Sequence, residues 1–487
     1  MKTNRSWNRT PAVAAALAVA TALAVAGPPG ALLGQDEPGL LAITRVDVVD
    51  VRSGTLVEDR TVVIESGRIR SIEAGAPAPD GARVIDGEGR VLIPGLWDMH
   101  VHLRNPLAPT LLMPQFIANG VTGVRDMGGD CEEPSETATC IEQLREWNDR
   151  VETGELAGPR ILAISSFPLN PPWDYEVTEE EARALVGRLS ERGVDLLKVY
   201  YRLSPAALGW IVDEARRLGM DVGGHLPLRM TAREASNAGL RSLEHARDFL
   251  FDCFPGSAEF RRTAMSQNPP MDVMRSMVDD HDEAQCDETF EAFVRNDTWY
   301  VPTHVTRRMD AYADDPGFRD DPRRKYIPAS AWASWQADAD RMVALDPSPE
   351  GRRIVRGFYE KGLEITGRAH DAGVSIVLGT DAGDTYVFPG SGTHDELGEL
   401  VKAGLSPGEA LAAGTVRAAE FLRLEADYGT VEVGKVADLL LLTANPLEDI
   451  ARTRGIEAVI LNGEVRTRAD LDELLRVVEG RIAGAGN

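Results

Sequence analysis

The chain has 487 residues, with 52 Lys and Arg against 77 Asp and Glu, and a formal net charge of −25. So acidic a surface repels nucleic acid and anionic lipid, and no Lys/Arg run offsets it, so no nucleic-acid partner is expected. Hydrophobic residues at 43% and charged residues at 26% suit a globular protein with a core, long enough for a large domain plus a smaller module.

Lys2, Arg5 and Arg9 precede an Ala/Val/Leu stretch at 11–26. That is the order of a secretory signal, and the stretch is short for a bilayer-spanning anchor. Ala24-Val25-Ala26 offers small residues for cleavage, and 27–34 reads as Pro/Gly/Leu linker. Residues 1–34 are therefore predicted to be a signal peptide and linker, and the protein to be exported to the periplasm or cell exterior. No later apolar run is long enough for a membrane span. Export permits disulfides, and the local pairs Cys131–Cys140 and Cys253–Cys286 are the expected ones.

Residues 35–94 hold short apolar/polar alternations broken by Gly and Asp, the pattern of a small antiparallel sheet. Residues 424–487 have the same texture. Two β segments at opposite ends can pair into one composite β-sandwich, leaving 95–423 as an inserted domain. Within it, eight strand candidates alternate with helical stretches: 96–102, 120–127, 160–165, 195–200, 221–226, 242–246, 299–304 and 374–381. That order predicts an α/β fold, a (β/α)8 TIM-type barrel. The insertions at 254–298 and 305–350 are expected to wall the substrate site.

A barrel enzyme builds its site from the C-terminal ends of its strands. Of eight histidines, His100, His102, His225, His245 and His304 fall at such ends, as do Lys198 and Asp381. His100 and His102 are two apart on one strand, so their imidazoles face the same way and can share a metal ion. His225 and His245 can supply two more nitrogens, and Asp381 can bind an ion and hydrogen-bond a water. Imidazole and carboxylate suit a zinc-type ion, which makes hydroxide available near neutral pH.

These residues lie in Ile93-Pro-Gly-Leu-Trp-Asp-Met-His-Val-His-Leu, Gly120-Val-Thr-Gly-Val-Arg-Asp-Met-Gly, Leu197-Lys-Val-Tyr, Gly224-His-Leu, Ser242-Leu-Glu-His and Gly379-Thr-Asp-Ala-Gly. With these motifs the mature chain resembles the amidohydrolase superfamily, most closely its imidazolonepropionase-like and zinc-dependent carboxypeptidase or prolidase-like group. The resemblance implies two divalent ions, zinc the first candidate. His100, His102 and Asp381 would hold one and His225 and His245 the other, with carbamylated Lys198 bridging them. It also implies Asp381 as the proton shuttle, and cleavage of a C–N amide bond in a dipeptide or N-acyl amino acid. A cyclic or other non-peptide amide is the alternative substrate, and a non-catalytic member of the fold a further reading. Ring deamination fits less well, because Lys198 is in place and no His-x-x-Glu follows the fifth strand.

Tyr200 shares the inward face with Lys198 and could donate to the substrate carbonyl, or else pack at the rim. Arg125 could take a substrate carboxylate or pair with an acid such as Asp126, and His304 could touch substrate. The oligomeric state is open, a homo-oligomer included.

Overall fold

Strands from both ends of the chain join in one sheet. The computed structural model describes residues 39–132 and 139–485, so the predicted signal and linker lie outside the described residues. Leu41–Asp50, Thr55–Glu65, Arg68–Ala74, Arg83–Asp86 and Val91–Pro94 share an eight-stranded sheet with Leu439–Leu442, Ile456–Leu461 and Glu464–Thr467. The seam runs between Val91–Pro94 and Leu439–Leu442, antiparallel, with Leu441 opposite Leu92. Two hairpins are set by their turns. Ser66-Gly67 and Asn462-Gly463 each place both residues at positive φ (51° and 74°, 53° and 77°), the two-residue geometry that matches strand twist. Alternation, reset by a bulge between Ile43 and Val46 where Arg45 has φ 56°, then points Ile43, Val46, Val62, Leu439 and Ile460 into one apolar cluster.

The middle of the chain forms parallel strands. Leu96–Val101, Val121–Asp126 and Arg160–Ile164 make one sheet; Leu196–Val199, Asp221–Gly224, Ser242–Glu244 and Trp299–Val301 make a second. Parallel bridges connect Ser165 to Leu196, Tyr300 to Ile376 and Val101 to Ala382. The segment expected as an eighth strand is irregular, but its backbone is held on both sides. Met99 N donates to Leu378 O (2.9 Å), Asp381 N to His100 O (2.7 Å) and Val377 N to Tyr300 O (3.0 Å). The fold is thus mixed α/β, with strands buried on both faces as parallel sheets require.

Helices between the strands carry legible caps. Thr178 and Glu181 form a capping box before Glu179–Arg192, which ends at Gly193 with φ 83°. Ser204 caps Pro205–Leu218, with the proline at the first turn and Gly219 at the end. The two insertions are largely helical, with Met271–Asp279 and Glu283–Asn296 in the first and Ala329–Leu345 in the second. Both expected disulfides are present, Cys131–Cys140 and Cys253–Cys286. Trp335 and Met309 pack on Tyr386 and Phe388, seating the second insertion against the loop that follows Asp381. Among the described residues, no helix is long and apolar enough to cross a membrane.

Candidate metal centre

His100 lies on Leu96–Val101, fully buried, and His102 follows the strand's end, so the two imidazoles sit with ring centroids 5.4 Å apart. The Asp381 carboxylate reaches both: Oδ1 is 2.7 Å from His102 Nε2 and 3.5 Å from His100 Nε2. Ligand atoms of the three residues all lie within 4.8 Å of one another. Asp381 and His245 hold φ of 65° and 75°. Left-handed backbone at a non-glycine residue costs free energy and persists where the surroundings impose it, commonly at functional sites.

The set fits a cation. His100 Nδ1–H donates to Glu244 Oε2 at 2.9 Å. A neutral imidazole with Nδ1 protonated carries its lone pair on Nε2. That atom is buried without a hydrogen-bond partner and faces a carboxylate oxygen. Two electron-rich atoms turned toward one another in a buried place call for a positive charge between them.

Across the cavity, His225 Nε2 and His245 Nε2 are 3.2 Å apart. Two nitrogens ligating one tetrahedral zinc at ordinary bond lengths stand roughly 3.3 Å apart, so this pair is also spaced for an ion. Burial pushes both imidazoles well below their usual pKa, which leaves lone pairs free at neutral pH. The Lys198 amine is buried and donates to the Met127 carbonyl at 2.7 Å. Burial brings its pKa down to about 8, against the pull of the Asp381 carboxylate. His102, Lys198, Tyr200, His225, His245 and Asp381 line one cavity of about 250 Å³. The Tyr200 ring packs against that of His225, tilted by 58° with centroids 4.0 Å apart.

A profile of the amidohydrolase family matches residues 337–466, the stretch that carries Asp381. Over that stretch the chain is similar to the amidohydrolase family. Ochratoxinase of Aspergillus niger is 24% identical to this chain over 427 residues, 74% of this chain and 72% of that one. Dihydroorotase of Pelobacter propionicus is 41% identical over 66 residues, 14% of this chain, so the chain spans only 15% of that relative's length. A solved structure of a Xaa-Pro dipeptidase with bound methionine superposes with TM-score 0.62 at 20% identity, over 88% of this chain and 100% of that one. That last likeness is one of fold.

Two expected substrate contacts do not line this cavity. Arg125 is fully buried. Its Nε donates to Met99 O (2.5 Å), Nη1 to Ser242 Oγ (3.3 Å) and Nη2 to both Glu244 oxygens (2.9 and 3.1 Å). It therefore holds Glu244, not substrate. His304 is also fully buried: the strand stops at Val301, Thr303 turns left-handed, and His304 opens the helix His304–Tyr312 with Nε2 on Thr366 Oγ1 at 2.9 Å.

Sequence reasoning missed Glu244. Burial alone would raise its pKa, but the Arg125 guanidinium and the His100 hydrogen bond hold it at about 2. The signal was available, because Ser242 and Glu244 are two apart on one strand and share its inward face. Arg125→Ala strands an ionised Glu244 in the core. Loss of one partner of a buried pair should lower unfolding stability by about 3–5 kcal/mol, measurable by denaturant unfolding of the metal-free protein. The pocket also includes Arg104, Arg247, Arg307 and Asp384, none of which a motif flagged.

Proposed function

We propose that this chain is an exported hydrolase of C–N amide bonds in dipeptides or N-acyl amino acids, working through a binuclear metal centre at the mouth of a (β/α)8 barrel. The observation that carries the reading is the convergence of His100, His102 and Asp381 around an unpartnered imidazole nitrogen. The parallel bridges at Ser165, Tyr300 and Val101 support the barrel reading, since they link the seven parallel strands and the irregular segment at 374–382 in succession. On this reading 95–423 is the barrel, and 35–94 with 424–487 form the smaller composite β module. Likeness to ochratoxinase and to a Xaa-Pro dipeptidase supports the amide substrate.

His100, His102 and Asp381 would hold one ion, and His225 and His245 the other. Neutral Lys198 would add to CO₂ through Nζ and lose a proton to give a carbamate, an anion that would help His100, His102, His225, His245 and Asp381 hold the ions. Bound divalent ions would supply Lewis acidity for the scissile carbonyl and lower the pKa of water from 15.7 toward about 7. Asp381 accepts the proton released by the attacking water and returns it to the leaving nitrogen. The Tyr200 phenol keeps its proton, because burial raises its pKa, and would donate a hydrogen bond to the carbonyl oxygen as negative charge develops.

Chelation tests the metal requirement. Dialysis against a chelator should abolish release of amino acid from N-acyl amino acids without changing the circular dichroism, and zinc should restore it. Full turnover by protein shown to be metal-free would contradict the proposal.

A further inference from the structure

We propose that Arg247 and Arg307 form a carboxylate receptor in the wall of this cavity, gripping an anionic group of the substrate beside the Asp381 centre. The inference rests on the amide-hydrolase reading and names where the acid end of that substrate sits.

Both arginines line the cavity with His225, His245 and Asp381. Arg247 follows the sixth strand and is only 9% exposed. Arg307 projects from the helix His304–Tyr312 after the seventh strand, with 15% of its side chain exposed. Guanidinium carries five N–H donors and cannot give up its charge, so a buried one should be well bonded. Arg247 is not. Among the described residues it donates one hydrogen bond, from Nη2 to Gln267 Oε1 at 3.1 Å, and its buried Nε has no hydrogen-bond partner. Its nearest acid, Asp248, stands 3.7 Å from Nε, beyond hydrogen-bond reach, with its other oxygen accepting from Leu226 N. Arg307 spends Nε on Thr306 Oγ1 and Nη1 on Asp310, and among the described residues its Nη2 donates no hydrogen bond.

The charges here are compensated by Asp248 and Asp310, but the donors are not used. That combination suits a ligand that brings acceptors. Two planar forks in a small cavity match the two coplanar oxygens of a carboxylate, the group carried by dipeptides and N-acyl amino acids. Gln267, from the first insertion, braces the receptor against the centre, its side-chain amide lying against both Arg247 Nη2 and, at 2.7 Å, His225 Nδ1.

The test pairs N-acetyl-L-leucine, N-acetyl-L-phenylalanine and N-acetyl-L-lysine with their C-terminal amides, measuring binding to the zinc-loaded protein by calorimetry and turnover separately. The acids should bind about tenfold to a hundredfold tighter than the amides, as charge-assisted hydrogen bonds imply. Arg247→Gln and Arg307→Gln should each erase most of that acid-over-amide preference, and Arg247→Lys, which keeps charge without the fork, should fall between. Equal binding of acid and amide by wild type, or a preference surviving both substitutions, overturns the receptor. Acid preference without turnover of any amide keeps the receptor and overturns the hydrolase reading.

Discussion

Asp381→Asn should lower kcat/KM for any amide substrate by about 10²- to 10⁴-fold, the range spanned by a lost general acid–base group. The substitution is close to isosteric, and asparagine tolerates the left-handed φ of 65° that this position demands. Folding should therefore survive. What is lost is the anion: an amide oxygen cannot accept and return a proton, and it is a weaker ligand beside His100 and His102. Steady-state kinetics with metal content measured on the same samples checks this. A variant with wild-type kcat would remove Asp381 from the chemistry, and one that merely loses metal and recovers fully when metal is added would reduce it to a ligand.

Lys198→Met is expected to have the second-largest effect, a loss of activity and of metal affinity of at least about 10²-fold, above the range for outer-shell ligand partners because the proposed carbamate ligand is removed. Its chemistry also carries a pH signature. Burial holds the amine near a pKa of about 8. Above that value the side chain is mostly the neutral amine that can add to CO₂, and below it mostly ammonium. By pH 6 roughly a hundredth remains neutral. Bicarbonate-dependent zinc uptake by the metal-free protein should thus rise as pH climbs through 8 and be absent in Lys198→Met. Uptake that ignores bicarbonate in both proteins would count against the carbamate.

Much of the centre was legible because strand periodicity is simple. The i, i+2 spacing of His100 and His102 fixed a shared face, and strand ends placed Lys198, His225, His245 and Asp381 around one cavity. The same rule failed for Arg125, since alternation tells inward from outward but not the cavity mouth from the packed interior beneath it. It failed for His304 because Thr303 turns left-handed and starts a helix, a backbone event no neighbouring glycine announces. Arg247, Gln267 and Arg307 were invisible for a different reason. Their meeting depends on how two helical insertions fold back, one tied by Cys253–Cys286 and the other seated by Trp335 on Tyr386, and long-range packing of that kind leaves no local pattern.

The most direct test of the account is a product analysis. Zinc-loaded mature protein is incubated with a panel of dipeptides and N-acyl amino acids, with Asp381→Asn in parallel, and free amino acid and acid are quantified by mass spectrometry. The account predicts equimolar release of both fragments by wild type, favouring substrates with a free carboxylate, and little or none by the variant. Intact substrates throughout, from protein carrying its full complement of metal, would contradict it.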